Sequence, residues 1–341
     1  MRRPIYLIPM ILLCIQAVTV IAQRRRVERS CPEIFEMHKE GGRQVLRYAS
    51  NYSLDKTDTA IRTLLIYVHG LHRRAMNYYD YGEEAVRASH KKKTTLLITP
   101  QYTNEEDMAA LWMGKEFLYW HKAEWKDGYE SMRDETGAQP GRMSSYEVMD
   151  SLIAAVVNSG RFPNLRRIVV AGHSAGGQFV DRYSAISPLP DLLAGVRFRF
   201  IVMNPSSYLY PDNLRPAEDG SFVLPDSSGC PGYNRYPKGL TELNTYARAT
   251  GAERILQNML QRDIVFLLGG DDTNMEDPDL DVSCAGNLQG KYRLVRGMYY
   301  IGHISSFPGY GGKKNFSIIR GVGHEGDMIS TAEARKWVFE W

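Results

Sequence analysis

Val169-Val170-Ala171-Gly172-His173-Ser174-Ala175-Gly176-Gly177 decides how this chain is read. An apolar, β-branched run ends in Gly-x-Ser-x-Gly, and a helix-capable segment, Gln178 to Tyr183, follows. The pattern predicts a strand that turns sharply into a helix and lifts one serine to the top of a sheet. Such a turn needs small residues two before and two after the serine, because side chains there would collide with neighbouring strands. Gly172 and Gly176 stand at those places. A glycine-rich turn with an idle serine is the plainer alternative, since Gly-x-Ser-x-Gly alone recurs by chance. The strand before Ser174 and the helix after it favour a nucleophile.

On the N-terminal side, Leu64 to Val68 is a short apolar run that ends in His69-Gly70 and reads as a buried strand. Tyr78 to Ser89 reads as the next helix, and Leu96 to Thr99 as a second buried strand stopped by Pro100. Gln44 to Ser53 is a candidate earlier strand. Ser144-Ser145-Tyr146-Glu147 has the pattern of a capped helix start, and Val148, Leu152, Ile153, Val156 and Val157 then form one apolar face. Phe198 to Met203, Ile264 to Leu268 and Phe316 to Ile319 complete the strands, and a closing helix is expected over Thr331 to Phe339. Strands alternating with helices predict an α/β fold with a mostly parallel central sheet covered on both faces. Residues 101–143 hold Trp112, Tyr119, Trp120, Trp125 and Tyr129, either a binding surface or aromatics that pack a loop down. The polar, tyrosine-rich stretch 206–246 reads as a loop-rich cap insertion over the site.

A nucleophilic serine needs a base, an acid that orients the base, and fixed N–H donors for the developing oxyanion. The parts occur in the chain order Ser, Asp, His: Ser174, then Asp271 or Asp272 past one strand, then His324 past the last. Each lies at the carboxyl end of a predicted strand, the edge where open α/β sheets place their chemistry. Ala175 and Leu71 are the candidate oxyanion donors through their backbone N–H groups. Among competing histidines, His173 should point into the fold, His69 should brace the oxyanion loop, His121 lies in the aromatic loop, and His303 precedes the last strand.

With these residues the chain resembles the α/β-hydrolase superfamily. More narrowly it is similar to secreted serine hydrolases with His-Gly-x-x-Arg-x-Ala-x-x-Tyr after the third strand, here His69 to Tyr78. The resemblance runs from about residue 60 to the end. It implies the α/β-hydrolase fold, the set Ser174, Asp272 and His324, and cleavage of carboxylic esters through an acyl-enzyme. By the family's spacing the acid is Asp272, with Asp271 the alternative. The same set serves peptidases and amidases. A non-catalytic binding protein on this fold is the rival from a different class, and such proteins commonly lose one of the three residues. The substrate is expected to be a small-molecule or polymeric ester.

The ends and composition bound the setting. Arg2 and Arg3 precede a nearly apolar stretch from Ile5 to Ala22, which predicts a cleaved signal peptide over 1–22 and one mature domain over 23–341 starting at Gln23. An uncleaved anchor is the alternative, and about 18 residues is short for one. Cys14 follows Leu13, which disfavours a lipoprotein signal. The mature chain is therefore expected outside the cytoplasm, without stable membrane insertion. Three cysteines remain: Cys230 and Cys284 are the expected pair and Cys31 is left over, unless none pair. A net charge of +3, partly from the Arg24-Arg25-Arg26 run, suggests no nucleic-acid partner. No cofactor is expected, and no metal: His-Glu-x-x-His and Cys-x-x-Cys do not occur. The carboxylates at 271, 272, 276, 277, 279 and 281 read as a solvated acidic loop and not as a calcium site.

Overall fold

The computed structural model describes residues 30–40, 42–111, 113–133, 142–311 and 315–341. The leader expected over 1–22, Gln23, the arginine run at 24–26 and Trp112 lie outside the described residues. One eight-stranded sheet organises the rest. Its strands are β1 (Glu33–Lys39), β2 (Gly42–Ser50), β3 (Thr63–Val68), β4 (Thr95–Gln101), β5 (Arg167–His173), β6 (Arg197–Met203), β7 (Ile264–Gly269) and β8 (Phe316–Ile319). They stand in the order β1-β2-β4-β3-β5-β6-β7-β8. The two pairings of β2 are antiparallel, and every pairing from β4 to β8 is parallel.

The central strands are apolar without alternation because both faces are covered. Leu64, Ile66, Val170, Val202, Phe266 and Leu268 point into one core; Leu65, Tyr67, Val169, Ile201, Val265 and Leu267 point into the other. The first core is completed by four helices: α2 (Ser145–Asn158), α3 (Ala175–Ile186), α4 (Ala252–Gln261) and α5 (Arg293–Ser305). The second is closed by α1 (Ala75–Ala88) and α6 (Ala332–Phe339). Ser144 caps α2, its hydroxyl accepting from the Tyr146 N–H.

One expectation is corrected, and for Trp120 and Trp125 the packing alternative holds. Pro100 does not stop β4: it sits inside the strand, opposite Tyr48 of β2. Pairing with β3 ends at Ile98, so the proline occupies a part of the strand bonded on one side only, where a missing N–H is tolerated. Trp120 and Trp125 are completely buried and cannot present a surface to a polymer; Trp125 stacks on Tyr102 with ring planes 2° apart. The tyrosines of 206–246 are also interior. Tyr208, Tyr210, Tyr233 and Tyr236 are buried; Tyr208 stacks on Tyr300 at 4.5 Å, and the Arg215 guanidinium lies 4.2 Å above the Tyr210 ring.

Cys230 and Cys284 form a disulfide and Cys31 is a buried free thiol. The bridge closes a loop of 54 residues. Chain-entropy reasoning gives such a loop a stabilisation of about 4 kcal/mol. Denaturant unfolding of a Cys230→Ser, Cys284→Ser double variant should show a loss of that order; no loss would mean that the native segment is held by its other contacts alone.

α3 also carries a buried acid. Burial pushes the Asp181 carboxyl from 3.8 up to about 7, against the field of Arg182 and hydrogen bonds from the Leu209 N–H and Tyr300. A folded-state value above the unfolded one means that the proton is bound more tightly in the native state. The stabilising contribution is complete below pH 4 and is lost as pH rises to about 7. Asp181→Asn should therefore gain stability relative to the parent between pH 4 and pH 8, by on the order of a few kcal/mol. A difference that stays constant across that range would show Asp181 ionised throughout.

Candidate active site

Ser174 connects β5 to α3 with φ +58° and ψ −119°. A serine at positive φ is strained and persists only where its surroundings fix it. Three glycines and two hydrogen bonds do so here. The Ser174 N–H donates to the Met203 carbonyl at 2.9 Å, and its own carbonyl accepts from the Gln178 N–H at 3.0 Å. A Cβ on Gly176 would lie 2.2 Å from the Val68 carbonyl oxygen of β3, the expected collision with a neighbouring strand. A Cβ on Gly172 would instead meet the Gly176 carbonyl oxygen at 2.1 Å, inside the turn of α3 itself. Gly177, which the sequence pattern did not single out, would meet the Met203 carbonyl oxygen of β6 at 2.5 Å.

Three separate strand ends converge on this serine. His324, after β8, has Nε2 3.0 Å from the Ser174 Oγ and Nδ1 2.7 Å from Asp272 Oδ2. With the Nδ1 proton donated to Asp272, Nε2 holds the lone pair that accepts the serine hydroxyl. Asp272 is buried in the turn after β7, whereas Asp271 is exposed and its N–H bonds the Val322 carbonyl. Of the two candidate acids, only Asp272 contacts His324. Asn204, at the end of β6, fixes the frame. Its amide donates to the Gly323 carbonyl at 2.9 Å and accepts from the Gly269 N–H at 2.7 Å, so one side chain locks the ends of β7 and of the turn before His324. Asn204 has φ +44°, a conformation that asparagine tolerates better than most residues.

The acidic stretch is solvated only in part: Asp271 and Glu276 are exposed, whereas side chains from other segments meet Asp272, Asp277, Asp279 and Asp281. Fully buried Arg293, the first residue of α5, brings Nη1 to 3.5 Å from Asp272 Oδ1 and 3.1 Å from Asp277 Oδ2. Its Nη2 donates to Asp277 Oδ1 at 3.1 Å and its Nε to the Ser206 hydroxyl at 3.1 Å. Asp279 pairs with His72 at 2.8 Å, and Asp281 with Lys238 at 2.9 Å. Among the described residues, no group of three or more His, Cys, Asp or Glu side chains is arranged to hold a metal ion.

The loop after β3 is built around a neutral histidine. His69 Nε2 accepts from the Tyr102 N–H at 3.0 Å, which leaves Nδ1–H to donate to the Gly70 carbonyl at 2.8 Å. Burial holds this imidazole down at about 4, so it stays uncharged at neutral pH. The Gly70 carbonyl also accepts from the Arg73 N–H at 3.1 Å. In a trans peptide the N–H points opposite to the carbonyl, so pinning Gly70 aims the Leu71 N–H. The Ala175 N–H is one of the unpaired donors at the first turn of α3. His173 points inward as expected. Its Nδ1 lies 3.1 Å from the Tyr78 hydroxyl, and burial, with the fields of His324 and Arg293, keeps it well below its usual value. His121 pairs with Glu105, and His303 with Asp212 at 3.0 Å.

Beside Ser174 lies a cavity of ≈ 200 Å³, lined among others by Leu71, Arg74, Asn77, Tyr78, Tyr81 and Asp279. No residue of 206–246 lines it. Asn204 and Arg293 escaped the sequence reading. An arginine opening a helix opposes the helix dipole, and that local conflict is the one signal that could have marked Arg293.

No protein-family model and no curated protein matches the sequence. Solved structures do. A poly(3-hydroxybutyrate) depolymerase, LpqC, from Bordetella parapertussis is similar at TM-score 0.61 and 20% identity, over 93% of this chain and 92% of its own. Poly(aspartic acid) hydrolase-1 from Sphingomonas sp. KT-1 is similar at TM-score 0.55 and 21% identity, over 91% of this chain and 99% of its own. These likenesses show the fold: the chain has the α/β-hydrolase fold.

Proposed function

We propose that this protein is a serine hydrolase that cleaves carboxylic esters. The observation that carries the reading is the linked pair of contacts at one edge of the sheet: Ser174 Oγ to His324 Nε2 at 3.0 Å, and His324 Nδ1 to Asp272 Oδ2 at 2.7 Å. Ser174 attacks the ester carbonyl as His324 takes its proton. The Leu71 and Ala175 N–H groups receive the oxyanion. His324 then returns the proton to the departing alcohol, and an acyl-enzyme remains for water to hydrolyse. Asp272 holds the imidazole in the tautomer that makes it a base. No step calls for a cofactor.

The leader over 1–22 and a single mature domain from 23 complete the reading, with export from the cytoplasm. The Cys230–Cys284 bridge supports an oxidising destination, and no helix among the described residues is long and apolar enough to cross a membrane. Purified protein starting at Gln23 should be labelled by a fluorophosphonate at Ser174 and should turn over nitrophenyl esters faster than peptide substrates. The names of the two similar structures justify adding poly(3-hydroxybutyrate) and poly(aspartic acid) to the panel. Labelling without ester turnover would favour an amidase. A folded protein that the probe leaves untouched would favour a non-catalytic binding protein.

A further inference from the structure

We infer that Arg293 is a positioning residue that both holds Asp272 and sets the pH at which His324 becomes a base. The inference rests on the catalytic reading of Ser174, His324 and Asp272. Arg293 is fully buried, and its fork lies between two carboxylates that come from one loop: Nη1 faces Asp272 Oδ1 at 3.5 Å, and both terminal nitrogens reach Asp277 at 3.1 Å. Asp272 therefore presents one oxygen to His324 and the other to a guanidinium. A buried carboxylate with a cation on its far side stabilises the imidazolium of His324 less than a lone carboxylate would. The other groups around His324 are Ser174, the neutral ring of His173 at 4.6 Å, and Asp277, whose carboxyl feels the His324 charge. Glu325 follows in the chain, and at the rim Asp279 lies 2.8 Å from the His72 ring. Arg293 is the cation in contact with the His324 acid.

The test reads the second-order rate of fluorophosphonate labelling of Ser174 against pH, which needs no knowledge of the substrate. The acid limb of that profile reports protonation of His324. In Arg293→Gln the limb should move up by roughly one pH unit. In Asp277→Asn, which removes a negative charge and frees more of the Arg293 field, it should move down by roughly half a unit. Arg293→Lys keeps the charge and loses the fork, so its limb should stay in place while the plateau rate falls. Shifts in opposite directions cannot come from a merely structural lesion. If Arg293→Gln fails to fold, Arg293→Lys decides: a limb that moves although the charge is kept, or a plateau that does not fall, overturns the inference. An unlabelled parent protein would instead sink the catalytic reading on which it rests.

Discussion

Ser174→Ala is expected to lower kcat on the best ester by roughly 10⁴ to 10⁶-fold. The residual rate would come from binding and from the oxyanion donors, neither of which needs the hydroxyl. The substitution removes one atom that hydrogen-bonds His324 and leaves the backbone as it is. Alanine at φ +58° carries the same steric strain as serine, and the three surrounding glycines are unchanged. The variant should therefore unfold within a degree or two of the parent. Pre-steady-state kinetics supply the direct check: the parent should show a burst of alcohol release, and an acyl adduct on the peptide that contains Ser174. A variant that keeps its turnover would show that the reaction does not run through this side chain. A variant that loses both activity and a large share of stability would assign the hydroxyl a structural role.

The glycines illustrate how much of the fold and the site is legible in the sequence. Gly172 and Gly176 are readable because the steric rule of a strand-to-helix turn is local, and a local rule shows in a local pattern. The central strands are readable for a similar reason, since burial on both faces leaves continuous apolar runs such as Leu64 to Val68. What resisted reading depends on segments far apart in the chain. Nothing near Asp277 or Asp279 announces that Arg293 and His72 will arrive beside them, so the stretch looked like a solvated acidic loop. Trp120 and Trp125 stand among charged residues in sequence, yet are sealed by Tyr102 and by the His69 ring. Pro100 reads as a stop only if the strand is bonded on both sides, and which side is free depends on the register with β3. The choice between Asp271 and Asp272 rested on a family's spacing, because a turn of adjacent acids cannot show which one faces inward.

That choice has a measurable consequence. Asp272→Asn is expected to lower kcat roughly 10⁴-fold, while Asp271→Asn stays within a few-fold of the parent. An asparagine in place of the acid offers one acceptor and one donor group where the carboxylate offered two acceptors. Arg293, buried and bearing only donors, lies on the Oδ1 side, so it claims the amide carbonyl. The NH₂ is then turned toward His324 Nδ1, and a donor there forces the ring into the tautomer with the proton on Nε2. That nitrogen faces Ser174 Oγ at 3.0 Å and could no longer accept its proton. The guanidinium thus fixes the wrong tautomer instead of allowing the amide to flip. Exposed Asp271 contributes its backbone N–H to the Val322 carbonyl, and Asn keeps that bond. Parallel kcat measurements on the two variants check the assignment. A larger loss in Asp271→Asn than in Asp272→Asn would reassign the acid. Equal small losses would mean that His324 is oriented without a carboxylate.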